Sequence, residues 1–242
     1  MDEWYALRGF NQPMASMSHL VGALVFLVLA ILMLWSAWPD RKRLWCCGIF
    51  AFAVVLLLSL SGVFHMFPPK TTPRAVMVRL DVAAIFVLIA ASFTPVHGVL
   101  YRGWNRWGIL IPLWAFTVTA ITLRTIFFDS LPYVWGNGIF LLMGWIGLYS
   151  TVLTYRDFGK RIAVPVIAGG ICYTIGVVGD SFQWPTIIPR VWGSHETFHW
   201  LVLGGISYHW YLMSQIAEGR LTYEDRKSFG SADREATDPT SS

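Results

Sequence analysis

The sequence predicts an all-α fold, a polytopic membrane protein with seven transmembrane helices in one bundle. Three observations carry that prediction. Only 13% of the 242 residues are charged and 55% are hydrophobic, whereas a soluble domain carries about 25% charged residues. The apolar residues come in seven long blocks, and a helix needs roughly 20 of them to cross a bilayer. Each block is bounded by proline, glycine or charge clusters that stop helices or sit at interfaces. Intrinsic disorder, a soluble enzyme domain and a disulfide-rich secreted fold are excluded. So is a β-barrel, whose strands would be about ten residues long with period-2 alternation.

Taken in order, the blocks cover 16–37, 44–66, 75–97, 107–127, 134–154, 161–181 and 195–216. The breaks between them are Trp38-Pro39-Asp40-Arg41, Phe67-Pro68-Pro69-Lys70, Arg102-Gly103-Trp104, Asp129-Ser130-Leu131-Pro132, Asp157-Phe158-Gly159-Lys160 and Trp184-Pro185. Residues 1–15 form a short N-terminal segment, 16–216 the transmembrane domain, and 217–242 a charged, Ser/Thr/Asp-rich tail expected to be disordered. Met1-Asp2-Glu3-Trp4 is acidic where a cleavable signal would be basic, so no signal peptide is expected. The 13 tryptophans cluster at block ends, as in an interfacial aromatic belt.

A mean hydropathy of +0.54 and a pI near 9.1 coexist in this chain. The basic residues lie between apolar blocks rather than on one face, which argues for a topology signal and against nucleic acid. Of the 18 Lys and Arg, 12 fall in loops 1–2, 3–4 and 5–6 and the tail, and 6 on the other side. The positive-inside rule then places the C-terminus in the cytoplasm and the N-terminus outside. Cys46, Cys47 and Cys172 all sit in apolar runs and read as buried thiols, not a disulfide framework.

Ionisable groups in membrane helices are costly and mark functional positions. The parity of crossings sorts them. His19 begins block 1, His65 ends block 2, Asp81 begins block 3, and His195 and His199 begin block 7, so all five share one membrane face. His97 ends block 3 at the opposite face, and His209 lies about 15 Å deeper than His199 along a helix rising 1.5 Å per residue. His195 and His199 are one turn apart and project from one helix face, and Ser61 and His65 share that spacing. Two histidines one turn apart with a third from another helix make the open three-ligand arrangement of catalytic zinc. A water in the open position would be acidified by the metal. Asp81 is placed to orient that water or take its proton, and Ser61 to supply a hydroxyl nearby.

Plainer readings stand beside these. The histidines also suit an amphipathic interface, and Asp81 is in register to pair with Arg79 or Arg74. His19 reads as a hydrogen-bonding or second-layer residue, and Asp180, on the same face, as another such residue or a substitute for Asp81. His195-Glu196-Thr197-Phe198-His199 also spells H-E-x-x-H, the metalloprotease motif whose glutamate is the base.

Several motifs resemble the hemolysin III and progestin/adipoQ receptor family, within the wider alkaline-ceramidase-like membrane hydrolase superfamily. Ser18-His19-Leu20-Val21-Gly22 is similar to its Thr/Ser-His-x-x-Gly opening, and Ser61 to His65 to its S-x-x-x-H. Asp81 through Thr94-Pro95 resembles its aspartate-bearing third helix, and His195 to His199, with Gly204 and His209, its last-helix H-x-x-x-H. The resemblance spans about residues 11–215. It implies zinc held by His65, His195 and His199, with Asp81 and Ser61 around the bound water. It implies hydrolysis of an amide or ester in a membrane lipid such as a sphingolipid, ceramide being the leading example, and no catalytic role for Glu196. The acidic N-terminal calcium site of alkaline ceramidases has no counterpart in Met1-Asp2-Glu3-Trp4. The expected function is therefore a zinc-dependent lipid hydrolase in the cell membrane, with its site on the outer side. The rivals are a seven-helix receptor with structural zinc, an intramembrane metalloprotease resting on Glu196, and a lytic protein.

Overall fold

The computed structural model describes residues 10–130, 133–145, 147–189 and 191–226, and among them the chain is almost wholly helical. The helices are α1 (Pro13–Ala37), α2 (Arg41–Phe64), α3 (Thr72–Leu100), α4 (Trp104–Ile126), α5 (Tyr133–Trp145), α6 (Gly147–Phe158), α7 (Lys160–Ser181) and α8 (Ser194–Ala217). α5 and α6 supply one crossing, Gly138–Phe158, and six crossings in all are long and apolar enough to span a membrane. α8, carrying three histidines and a glutamate, is the seventh and more polar helix.

Several helices start about three residues before the apolar blocks, because capping chemistry extends them into polar sequence. At α2 the Asp40 carboxylate accepts from the backbone N–H of Lys42 and Arg43 at 2.9 and 3.2 Å, drawing the three basic residues into the first turn. α1 and α3 each carry a proline in the first turn, where its missing N–H costs nothing.

α8 packs on α7, α1, α2 and α3. That placement buries Glu196, His199 and His209 and leaves Trp200, Tyr208 and Tyr211 on the outside. α1 and α2 approach closely at Gly62, where an added Cβ would lie 2.6 Å from Leu20 Cγ, and the Ser16 hydroxyl donates to the Gly62 carbonyl at 2.7 Å. The outer face of α1 exposes Leu24, Val25, Val28, Ile31 and Leu32, an apolar surface suited to lipid. Exposed Trp35, Trp38, Trp45, Trp104 and Trp107 ring the end that carries the 1–2 and 3–4 connections.

Parity is visible as contacts at that same end. Lys42 Nζ donates to the Val99 carbonyl at 3.2 Å, and Arg226 pairs with Asp157 at 2.9 Å. Residues 218–226 pack against the bundle. Leu221 is fully buried, and the Asp225 carboxylate accepts from Thr222 N–H at 2.7 Å. One buried leucine and an ion pair hold the segment there. Residues 1–9, including Met1-Asp2-Glu3-Trp4 and Arg8, and the remainder of the tail, 227–242, lie outside the described residues.

Candidate metal centre

Three side chains reach the centre from two helix ends. α2 closes at Phe64, and the His65 N–H donates to the Ser61 carbonyl at 3.2 Å, which turns the imidazole inward. α8 begins at Ser194 because Gly193 adopts an extended N-cap conformation and its N–H donates to Glu196 Oε2 at 2.9 Å. This fixes the first turn of α8, so His195 and His199 leave it on one side.

The Nε2 atom of His195 lies 3.3 Å from that of His65 and 3.2 Å from that of His199. Ligand atoms of all three fall within 4.8 Å of one another. Zinc–nitrogen bonds of 2.0–2.1 Å in tetrahedral geometry would separate ligand nitrogens by roughly 3.3 Å, so this cluster has the spacing of a metal site. The opposite ring nitrogens strengthen the fit. His65 Nδ1 donates to Gln12 Oε1 at 2.6 Å, and His195 Nδ1 to Asp180 Oδ1 at 3.1 Å. With those nitrogens protonated, both Nε2 lone pairs face the shared centre. His199 lies against the Ala15 carbonyl, although its Nδ1 makes no hydrogen bond of standard geometry.

Asp81 also reaches this region. It lies beside Ser61 and His195, and its Oδ1 is buried without a hydrogen bond. Neither arginine considered as its partner takes it: Arg79 pairs with Asp129 at 2.8 Å, and Arg74 donates to Gln12 Oε1 at 3.1 Å and the Phe67 carbonyl at 2.6 Å. His19 stacks on His199 with ring centroids 3.9 Å apart, so it packs against a candidate ligand from outside the nitrogen cluster. Asp180 stands behind His195, in the orienting position. His97 is at the far end, hydrogen-bonded to the Ser150 hydroxyl at 2.6 Å and the Asn105 carbonyl at 2.9 Å.

Gln12 and Arg74 escape a search built on membrane-embedded charge. Gln12 is neutral, and Arg74 reads first as a partner for Asp81. Gln12 stands just ahead of α1, and only the folded bundle brings its side chain to His65.

Two expected results follow. Asp180→Ala should weaken metal binding by about 10- to 100-fold, read by chelator competition, because it frees the tautomer and orientation of His195. Glu196→Gln should leave metal content and activity nearly unchanged, since glutamine also reaches back to an N-cap amide. The carboxylate of Glu196 is committed to the Gly193 N–H, which removes the observation on which a protease reading rests.

The cluster opens into a cavity of about 640 Å³, within the range of small-molecule sites. Its walls are mainly apolar, with Ile85, Ile89 and Phe93 of α3 facing Leu148 of α6 and Ile171 and Ile175 of α7. Leu148, Ile171 and Ile175 line it and are each more than half exposed, so the cavity is not sealed along α6 and α7.

Comparison with known proteins agrees with this architecture. The chain is 27% identical over 185 residues to the Hemolysin-3 homolog of Bacillus subtilis (strain 168), covering 76% of this chain and 81% of that protein. It is 26% identical over 196 residues to Hemolysin-3 of Bacillus cereus, covering 78% and 84% respectively. The family model described as Haemolysin-III related matches residues 8–210, nearly the whole helical bundle. A multi-pass membrane protein with a histidine cluster that can hold a metal, this chain belongs to the Haemolysin-III related family.

Proposed function

We propose that this protein is a zinc-dependent membrane hydrolase that cleaves an amide or ester bond of a membrane lipid, in the manner of a ceramidase. The observation that carries the reading is the convergence of three histidine nitrogens beside a buried, unpaired carboxylate oxygen of Asp81. A structural metal site is closed by four protein ligands. Here three histidines face a cavity, which suits a site with an open position.

Bound zinc supplies Lewis acidity that polarises a carbonyl and acidifies a water toward neutral pH. His65, His195 and His199 hold the ion, and Asp180 and Gln12 keep two of these rings in the ligating tautomer. Asp81 takes the proton of the attacking water at Oδ1 and returns it to the departing amine or alcohol. Ser61 contributes a hydroxyl beside that carboxylate. The apolar cavity takes the hydrocarbon tail, and its unsealed side along α6 and α7 admits a lipid without passage through water.

The site faces outward and the C-terminus lies in the cytoplasm, as the excess of 12 Lys and Arg over 6 supports. Protease sensitivity of the tail in sealed vesicles checks this orientation. The relatives' name, Hemolysin-3, brings a lytic reading, but the mainly apolar cavity favours a lipid tail over a water-filled pore. The decisive experiment is a lipidomic screen of amides and esters on wild type against Asp81→Asn. A zinc-containing wild type that cleaves none of them would favour a receptor.

A further inference from the structure

The cavity does not end in a uniformly apolar floor. His209 on α8 and Tyr173 on α7 both line it, ten residues beyond His199 and seven before Asp180 on their helices. His209 is only 9% exposed. Neither of its ring nitrogens nor the Tyr173 hydroxyl makes a hydrogen bond of standard geometry, although the Val166 carbonyl lies near the His209 ring. The two rings meet edge to face with centroids 5.5 Å apart. Unpaired polar groups at this depth are costly, at about 1–3 kcal/mol each, and call for a partner.

Helix geometry explains how they converge. His195, Val202 and His209 recur every seven residues on α8, and Asp180, Tyr173 and Val166 do so on the antiparallel α7. All six line the cavity. One end of this double stripe is the Asp180–His195 pair at the metal centre. Side chains tilt toward the N-terminus of their own helix, so Tyr173 leans down and His209 leans up, toward each other. Two glycines make room. A Cβ on Gly169 would lie 2.5 Å from His209 Nε2, and one on Gly205 would collide with the Tyr173 ring. Each helix is notched where the other's polar ring sits.

We propose that Tyr173 and His209 form a second polar station that binds a hydroxyl or carbonyl group carried partway along the substrate's hydrocarbon chain. The station lies roughly 15 Å from the metal centre, the rise of the ten residues between His199 and His209. Tyrosine and a neutral imidazole each donate and accept, which matches a hydroxyl. A plain saturated chain leaves the Tyr173 hydroxyl without a partner and His209 with the Val166 carbonyl alone. The natural ligand is therefore an oxygenated acyl or long-chain-base lipid rather than an unsubstituted one. The inference rests on the cavity being a lipid site, but it does not require turnover.

Its test is direct binding to the full-length, metal-loaded protein. The probes are octadecanoic acid and the same acid with a hydroxyl about two-thirds of the way along its chain from the carboxyl, measured by calorimetry in detergent. Wild type should bind the hydroxylated acid about five- to tenfold more tightly, the equivalent of one buried hydrogen bond. Tyr173→Phe and His209→Phe should each bring that ratio toward unity while metal content stays unchanged. Tyr173→Phe removes a single oxygen, so it keeps the test available if His209→Phe folds poorly. Equal affinities in wild type, or an undiminished ratio in Tyr173→Phe, overturn the proposal. If neither acid binds, the lipid-cavity reading falls with it. If the hydroxyl preference holds but no lipid is cleaved, the station stands and the hydrolase reading alone fails.

Discussion

Under the proposed hydrolase function, Asp81→Asn is expected to keep its metal and to lose turnover by about 10²- to 10⁴-fold, the usual contribution of a positioned general base. Asparagine preserves the shape and leaves the three histidines untouched, so metal content separates loss of proton transfer from loss of the site. The structural basis is that no arginine holds the carboxylate, which has only the Ser61 hydroxyl as a hydrogen-bonding neighbour. Arg79 is paired with Asp129 and Arg74 with Gln12, leaving Asp81 Oδ1 buried and unpaired beside Ser61 and His195. A helix-start ion pair with either arginine would have made the same substitution a stability lesion. The check is a matched assay of zinc content and of product formed from the lipid panel. An Asp81→Asn protein with wild-type turnover would remove Asp81 from the mechanism.

His195→Ala is expected to lower bound zinc from about one ion per chain to near none under mild chelation, with all activity lost. His195 is the central member of the set, since its Nε2 makes both short contacts, 3.3 Å to His65 and 3.2 Å to His199. Removing it leaves two nitrogens, too few for a tight site, and strands Asp180 without the ring it orients. His97→Ala is the control. That ring is fully buried at the other end and bonded to Ser150 and Asn105. Its loss should cost about 1–3 kcal/mol of stability, read by thermal unfolding, yet leave zinc in place. Stoichiometric zinc in purified His195→Ala would mean that the metal, if any, is held elsewhere.

Much of this was legible in the chain. Apolar runs interrupted by Pro39, Pro68 and Gly159 forecast helix ends to within a few residues, because a bilayer punishes polar backbone and charge alike. The same scarcity of charge made parity informative. His65, Asp81, His195 and His199 could be assigned to one face without knowing which helices touch. Charge scarcity has a blind side, however. Gln12 is neutral and Tyr173 reads as ordinary aromatic lining, so neither is flagged by a search for costly ionisable groups. Likewise, the packing of 218–226 rests on buried Leu221 and the Arg226–Asp157 pair, which composition does not indicate.

What the sequence by itself offered is the helical bundle, a common end for His65, His195 and His199, and the turn-spaced pairs at Ser61–His65 and His195–His199. These follow from one-dimensional quantities: block length, crossing parity and the 3.6-residue turn. Which groups meet was decided only in the folded bundle. Helix-on-helix contact chose Asp180 over Asp81 as the partner of His195 Nδ1, assigned Gln12 to His65, and brought Tyr173 of α7 against His209 of α8. Those choices depend on the rotation and depth of neighbouring helices, which small residues such as Gly62, Gly169 and Gly205 set by allowing close approach.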